Sequence, residues 1–424
     1  MTTAIEVLPH DAQQHKRSAT PLYWGRTSAD GPTPEVAGTL GWNLDLIGPV
    51  PVAAADLVRI ATAAYLADRR TPRPTTTFVR TFDLTAHTVN PEPWNSAPGE
   101  LAEELLHWLT GDVWHLHAVP ATATDRTLAS LAPADDVMLL SGGLDSLCGA
   151  VDHLQDSTER IHLSHYDGST AVRSAQNTAS SWLQSHVSHP LRHHSIKIRQ
   201  NGTPFESTSR SRSLLFAALA AATAATVSSP HVTVPENGFT SINPPLTTAR
   251  GGALTTRSTH PGTFSRLNAL LAAVDIPVTI DNPYFHCTKG ELLERAHNRV
   301  GDALLAAAAA TVSCGKLDGG RYLGGNANLN CGLCVACLVR RGSFTSGPHH
   351  DPTAYLVDRL AGPSRDSLLK RRRRDVLDVQ QAVLSGIDEI DILAVGDLPP
   401  ETDFDAVVDL CQRGLQELSR VPLP

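Results

Sequence analysis

No apolar run in the sequence is long enough to cross a bilayer. The longest, Leu214–Ala222, falls far short of the roughly 20 residues a spanning helix needs. The first residues, MTTAIEVLPHDAQQHKRS, lack the apolar core of a secretion signal, so the expected location is the cytoplasm. Charge is sparse, at 18% of residues, and the balance is −8. That argues against a chain built to coat nucleic acid or an anionic membrane, although it leaves room for a local basic patch. There is no Gly-Lys-Ser/Thr segment after a glycine loop, so the Walker type of phosphate site is absent. Cysteine is scarce too, seven in 424 residues, yet four of the seven fall between Cys314 and Cys337. In a reducing compartment such a cluster points to a metal or to chemistry rather than to disulfides. Hydrophobic residues make up 41%, enough for two or three domains with real cores and too much for global disorder.

What is present centres on Val137–Ala150, VMLLSGGLDSLCGA. Four apolar residues, Val137 to Leu140, predict a short buried strand. Leu147, Ala150, Val151 and Leu154 then recur at helical spacing. Between them lies Ser141-Gly142-Gly143-Leu144-Asp145-Ser146, a tight turn that aims free backbone N–H groups at one point. The positive end of the following helix lies beside them. Two glycines allow an anion to approach closely, and Ser141 and Ser146 add hydroxyl donors. The geometry suits a pyrophosphate. A plain strand-to-helix turn is the alternative, but two serines, two glycines and an aspartate in six positions are narrower than that reading needs.

Residues 1–130 predict a small α+β unit. Met1–Thr39 is polar and loosely structured by pattern, Thr39–Ile47 and Thr77–Leu84 read as strands, and Val52–Arg69 reads as a helix. Glu100–Leu109 is a second helix and Val113–Val119 a further strand. His87, His107, His115 and His117 show no metal spacing and are expected at the surface or in clefts. Ala121–Asp135 reads as a linker.

From residue 136 to 347 strands and helices alternate: Arg160–Tyr166, Ser174–Val187, Leu191–Ile198, Ser213–Val227 and His231–Pro235. This pattern predicts a doubly wound parallel α/β sheet, with ligands beyond the carboxyl ends of the strands. Ser164 and Tyr166 then become candidates to face a nucleotide base. Arg210 and Arg212 enter the alanine-rich helix, with Ser213 as its expected N-cap, and can meet phosphate or stand in solvent. The polar stretch Pro235–Gly262 carries Glu236, Asn237, Asn243, Arg250, Thr256, Arg257, Thr259 and His260, a set suited to a polar heterocycle or a carboxylate. A mobile surface loop is its alternative. Thr288–Glu291 is a capping box, and Lys289 in that first turn opposes the helix dipole, which points to a phosphate or carboxylate partner.

The cysteines follow C-x16-C-x2-C-x2-C, from Cys314 to Cys331, Cys334 and Cys337. Thiolates two residues apart in a turn reach one ion, so a four-thiolate, closed, structural zinc site is expected. An iron–sulfur cluster and a redox pair are the other readings. Cys148, Cys287 and Cys411 fit no such spacing. Residues 348–424 predict helices at Pro352–Leu360, Ser364–Leu384 and Phe404–Ser419. The Lys370–Arg374 run is either a solvated face or a contact for nucleic acid or an acidic partner.

The Ser141–Ser146 loop, the Arg210–Ala222 helix, Ser313-Cys314 and the Cys331–Cys337 run with Arg340 resemble the QueC family of PP-loop ATPases, the 7-cyano-7-deazaguanine synthases. The resemblance covers roughly residues 136–345. The added N-terminal block, the Pro235–Pro261 loop and the C-terminal helices resemble the QueC-like proteins of bacterial anti-phage systems, the Qat type among them. This implies an adenine nucleotide α-hydrolase-like fold, ATP with Mg²⁺, and a 7-carboxy-7-deazaguanine-type substrate. It further implies adenylation of that carboxylate with release of pyrophosphate, then transfer of the acyl group to ammonia or to an amine of a partner protein. Leu140, Ser141, Gly142, Gly143, Leu144, Asp145, Ser146, Ser164, Tyr166 and Arg212 would bind the nucleotide. Asp145, Ser146, Arg210 and Lys289 would serve the chemistry, and Glu236, Asn237, Asn243, Arg250, Thr259 and His260 the substrate. A tRNA sulfur transferase and an idle nucleotide sensor are the rival functions.

Overall fold

A computed structural model describes residues 2–424 except 11, 26–35, 75, 124–130, 202–205, 207, 248–255 and 348–349. Its first half contains β1 (Thr2–Pro9), β2 (Thr20–Trp24), β3 (Val36–Gly38), α1 (Val52–Arg70), β4 (Thr81–Thr88), α2 (Ala97–Thr110) and β5 (Val113–Pro120). The second contains β6 (Asp136–Leu139), α3 (Leu144–Asp152), β7 (Arg160–Tyr166), α4 (Thr170–Gln184), β8 (Arg192–Gln200), α5 (Arg212–Thr226), β9 (His231–Thr233), α6 (Gly238–Ile242), α7 (Pro261–Ala273) and β10 (Thr279–Asp281). The chain continues with α8 (Lys289–Val300), α9 (Ala303–Ala310), α10 (Val335–Thr345), α11 (Leu356–Arg359), α12 (Gly362–Ser385), α13 (Glu389–Leu393) and α14 (Phe404–Ser419).

The ten strands among the described residues share one sheet in the order β10-β9-β6-β7-β8-β3-β2-β1-β4-β5. Every pairing is parallel except β3 with β8, where Val36 to Gly38 run antiparallel to Gln200 to Ile198. Each half therefore has the same internal order, third-second-first-fourth-fifth, and the halves meet through their third strands. Equivalent helices also meet: α1 packs on α5, and α2 on α7. The N-terminal block is thus a parallel unit, not the α+β unit expected, and it repeats the topology of the block that carries the glycine loop.

The pleat explains why both faces are covered. Val137 of β6 joins the core formed with α1, α2, α5 and α7, while Met138 and Leu140 join the core formed with α3, α4, α8 and α9. Both edges of the sheet are closed by side chains. Asn268 bonds the N–H and C=O of Ile280 on β10, and Asn95 does the same for Ala118 on β5. Backbone groups that would template another strand are thereby occupied.

Several local expectations are corrected. The described residues of Met1–Thr39, expected to be loose, include β1, β2 and β3. Thr39–Ile47 forms turns rather than a strand. Leu44 takes a left-handed φ of 59°, and Trp42, Leu44 and Ile47 are buried by packing, with the Arg59 guanidinium 3.9 Å over the Trp42 ring. Strand β4 starts at Thr81 because the Arg80 N–H bonds Asp112 Oδ1 instead of a neighbouring strand. Phe78 and Val79 are left exposed. His87 is buried against Glu6 Oε1 at 2.8 Å. Ser213 does not cap α5. Asp68, in the last turn of α1, accepts from the N–H groups of Arg210 and Ser211 and from the Ser211 hydroxyl. A carboxylate there satisfies orphan donors and favours the helix dipole.

Candidate functional site

The glycine loop lies at the carboxyl end of β6, the strand flanked by β7 and β9, where the order of connections reverses. Hydrogen bonds hold the loop down. Leu140 N–H bonds Leu163 O at 2.8 Å, and the Ser164 hydroxyl donates to Leu140 O at 2.6 Å. Gln176 Nε2 donates to Ser141 O, and Val312 N–H to Gly142 O. Gly142 has φ +83°, and a Cβ there would stand 3.1 Å from Gln176, so glycine is required for both reasons. Ser146 Oγ lies 3.1 Å from Ser141 Oγ and 3.0 Å from Gly143 O. The N–H groups of Leu144, Asp145 and Ser146 open the first turn of α3, where intrahelical acceptors do not exist.

Three cavities of about 520, 540 and 590 Å³ adjoin here, and all three are lined by Ser141 and Gly315. The first extends past Asp145, Glu236, Asn243 and Lys289. The second runs between the two halves of the sheet, past Ser146, Arg212, Thr259 and Tyr65. The third follows β7 and α5, past Tyr166, Asp167 and Phe216. Tyr166 is thus a wall residue, as expected. Ser164 is not: its hydroxyl is consumed by Leu140 O and by His193 Nε2 at 2.8 Å.

A charged cluster closes the floor of the first cavity. Lys289 Nζ lies 2.5 Å from Asp145 Oδ1, and Asn237 Nδ2 lies 2.8 Å from Asp145 Oδ2 and 3.1 Å from Glu236 Oε1. The capping box at Thr288 fixes Lys289, and Glu417 of α14 accepts from Gly290 N–H and pairs with the Thr288 hydroxyl. Burial alone would raise the Asp145 carboxyl, but the Lys289 ammonium, with the bonds from Glu236, Lys289 and Asn237, holds it at about 2. Burial and the neighbouring Asp145 charge push Glu236 well above the ordinary carboxylate range. Of the two carboxyls, Glu236 therefore keeps its proton to higher pH than Asp145.

A pH dependence follows. Unfolded Glu236 ionises above about pH 4.3, whereas folded Glu236 keeps its proton to higher pH. Its raised value therefore contributes stability below that pH, and the contribution is lost as pH rises through the folded value. Glu236→Gln keeps a neutral donor without this titration. The stability of the variant relative to wild type is expected to rise between pH 5 and pH 8 in urea titrations. A difference that does not change with pH contradicts the assignment.

The remaining candidates divide. Asn243 sits on the cavity wall in a left-handed conformation (φ 51°) and donates to Thr256. Thr259 lies 3.3 Å from the Ser241 hydroxyl and lines the second cavity. Arg212 lines the second and third cavities, 3.9 Å from Asp167. Arg210 lies instead among Arg73, Arg80, Asp68 and Asp112. His260 is buried against Trp108, and its Nδ1 caps α7 through Gly262 N–H, so it holds structure. Arg250 lies outside the described residues.

The four cysteines converge as the spacing implies. Their Sγ atoms all lie within 4.8 Å of one another, with Cys314 to Cys334 at 3.9 Å and Cys331 to Cys337 at 3.8 Å. Zn–S bonds of about 2.3 Å in a tetrahedron give edges of about 3.8 Å, so a metal ion such as zinc fits. Gly332 has φ +86°, which turns the chain between the first two x2-spaced ligands. Backbone N–H groups of Lys316 and Cys331 point at Cys314 Sγ (3.4 Å each), and that of Cys334 at Cys331 Sγ (3.3 Å). Four thiolates outweigh a dication, and Arg372, paired with Asp318, lies against Cys331 to offset the excess. This splits the Lys370–Arg374 run, because Arg372 is buried while Lys370, Arg371, Arg373 and Arg374 stay exposed. The cluster borders the glycine loop: Cys334 lines the first cavity and Cys314 the third.

Comparison with protein-family models finds no match, and none is found among curated proteins. Among the described residues no helix is long and apolar enough to cross a membrane. Tyr65 and Arg69 of α1 line the second cavity without having been flagged by any motif. They sit in a helical pattern that reads as core, and only the meeting of the two half-sheets brings them to the loop.

Proposed function

We propose that the chain is a QueC-like PP-loop ligase of the cytoplasm. It adenylates the carboxylate of a 7-carboxy-7-deazaguanine-type substrate and passes the acyl group to ammonia or to an amine of a partner protein in anti-phage defence. The observation that carries this reading is the SGGLDS loop, anchored at the carboxyl end of β6 and open to three adjoining cavities. A substrate carboxylate oxygen attacks the α-phosphorus of ATP and pyrophosphate leaves. The amine then attacks the acyl carbon and AMP leaves with the carboxylate oxygen.

In this reading the N–H groups of residues 142–146 and Arg212 receive the departing pyrophosphate, where fixed donors act without reorganising. Lys289 and Asn237 hold Asp145, which keeps the first turn of α3 in place. Glu236, Asn243 and Thr259 offer amide, hydroxyl and carboxyl groups to a purine-like base, while the buried Asn237 amide is spent on Asp145, Glu236 and Thr240. Both Asp145 oxygens are already engaged by Lys289 and Asn237, so these residues present no ready Mg²⁺ site, and Mg²⁺ would arrive on the phosphates with its waters. Sulfur transfer is less well supported. Cys148, behind the loop, is buried and its thiol is driven up, and four other cysteines converge on a site that could hold a metal.

The test is incubation with ATP, Mg²⁺ and 7-carboxy-7-deazaguanine, with and without ammonia. Wild type should release AMP and pyrophosphate only with the carboxylate present, and Asp145→Ala should lose about a hundredfold or more, as loss of a transition-state donor set does. Tight ATP binding without AMP release under any condition would leave a sensor in place of a ligase.

A further inference from the structure

The second cavity contains polar groups that the proposed chemistry has not used. Tyr65 is 2% exposed and lines this cavity. Arg69, one turn further along α1, also lines it. Its Nε is buried without a partner, and it forms no ion pair among the described residues. The Ser209 hydroxyl, on the same wall, is buried and unpartnered as well. A buried polar group left without a partner is costly, a charged one more so, and the Arg69 guanidinium and Ser209 hydroxyl therefore call for a ligand. Across the cavity stand the Ser141 and Ser146 hydroxyls, Ser213 and Arg212.

The fold explains the placement. The last turn of α1 lies against the first turn of α5, because Asp68 caps α5 through Arg210 and Ser211. Asp68 is turned to that cap, which leaves the next residue, Arg69, for the cavity. The charges of Arg69, Asp167, Arg212 and Asp68 all act on Tyr65. Two guanidinium groups and a set of hydroxyls then surround one space opening on the glycine loop, where Asp167 and Glu236 are the acidic residues of the lining. That chemistry matches a phosphate chain, bound by charge-assisted bonds from arginine and by neutral hydroxyl donors.

We infer that Tyr65 and Arg69 bind the β- and γ-phosphates of the nucleotide, so that the N-terminal half-sheet supplies one wall of the phosphate site of the other half. This rests on the nucleotide reading proposed above. Arg69→Gln and Tyr65→Phe, tested in the full chain, remove the donors without removing any protein–protein hydrogen bond described for these side chains. Calorimetric titration with ATP, inorganic pyrophosphate and AMP separates the possibilities.

Arg69→Gln is expected to weaken ATP and pyrophosphate about tenfold or more, the scale of one lost charge-assisted bond, while AMP binding stays within about twofold. Tyr65→Phe should follow the same pattern more weakly, and Arg69→Lys should recover part of the loss. Equal losses for ATP and AMP, or no loss for either, overturn the inference while leaving the nucleotide reading intact. Failure of wild type to bind any of the three overturns both.

Discussion

Cys337→Ser is expected to release the metal and to melt the C-terminal core at a temperature well below that of the wild type. Cys337 is fully buried, and the four ligands belong to the same apolar cluster as Leu338, Leu356, Val379 and Leu418. Residues from α10, α11, α12 and α14 therefore close around the four thiols, and a metal bound there would hold them together. Structural zinc in small domains contributes on the order of 10 kcal/mol at neutral pH. Losing one thiolate ligand should cost at least ~4 kcal/mol, or about 10 °C in the thermal midpoint of a domain this size. Metal analysis should find about one zinc per chain in wild type and almost none in the variant. A brown protein containing iron and sulfide would instead establish the cluster reading. A metal-free wild type of unchanged stability would remove the metal from the account.

Lys289→Met should be the next most damaging change. The Lys289 and Asp145 side chains are only 8% and 6% exposed, and Glu236 stands beside them. Removing the ammonium leaves an ionised Asp145 facing a neighbouring carboxyl without its counter-charge. Breaking one partner out of a buried pair costs about 3–5 kcal/mol. The loss should be specific to the pair, so Lys289→Met combined with Asp145→Asn should cost clearly less than the sum of the single variants in urea titrations. The acid limb should move as well. In wild type Asp145 contributes stability above about pH 4 and loses it as pH falls toward its folded value of about 2. Without Lys289 that loss should begin at higher pH. Additive single-variant costs would show that the ion pair is not what secures the loop.

Much of this arrangement is legible in the sequence because local chemistry dictates it. Ser141-Gly142-Gly143 can do little else between an apolar strand and a helix, and Cys331, Cys334 and Cys337 at two-residue intervals can converge on one ion. The capping box at Thr288 and the unfavourable position of Lys289 also carry their own signal, and Asp145 proves to be its partner. What is not legible depends on distant parts of the chain. Strands β1 to β3 lie in a segment that looks polar, because their backbone groups pair with strands far along the chain. Strand β4 begins late because Arg80 is drawn to Asp68 and Asp112. His260 looked like a ligand-binding group from its polar surroundings, yet it caps α7. Helix α1 reads as amphipathic but is buried from Ala54 to Asp68. It lies between its own half of the sheet and α5, so its charges Asp56, Arg59 and Asp68 are paired or used as caps. That same packing carries Tyr65 and Arg69 to the second cavity.

In the proposed reaction a carboxylate substrate is activated by transfer of AMP at the SGGLDS loop. The most direct measurement uses 7-carboxy-7-deazaguanine labelled with oxygen-18 in the carboxylate, with ATP, Mg²⁺ and ammonia. Attack of the carboxylate on the α-phosphorus, followed by displacement of AMP, predicts one labelled oxygen in the AMP and none in the pyrophosphate. Label in inorganic phosphate, or AMP formed without label, would contradict it.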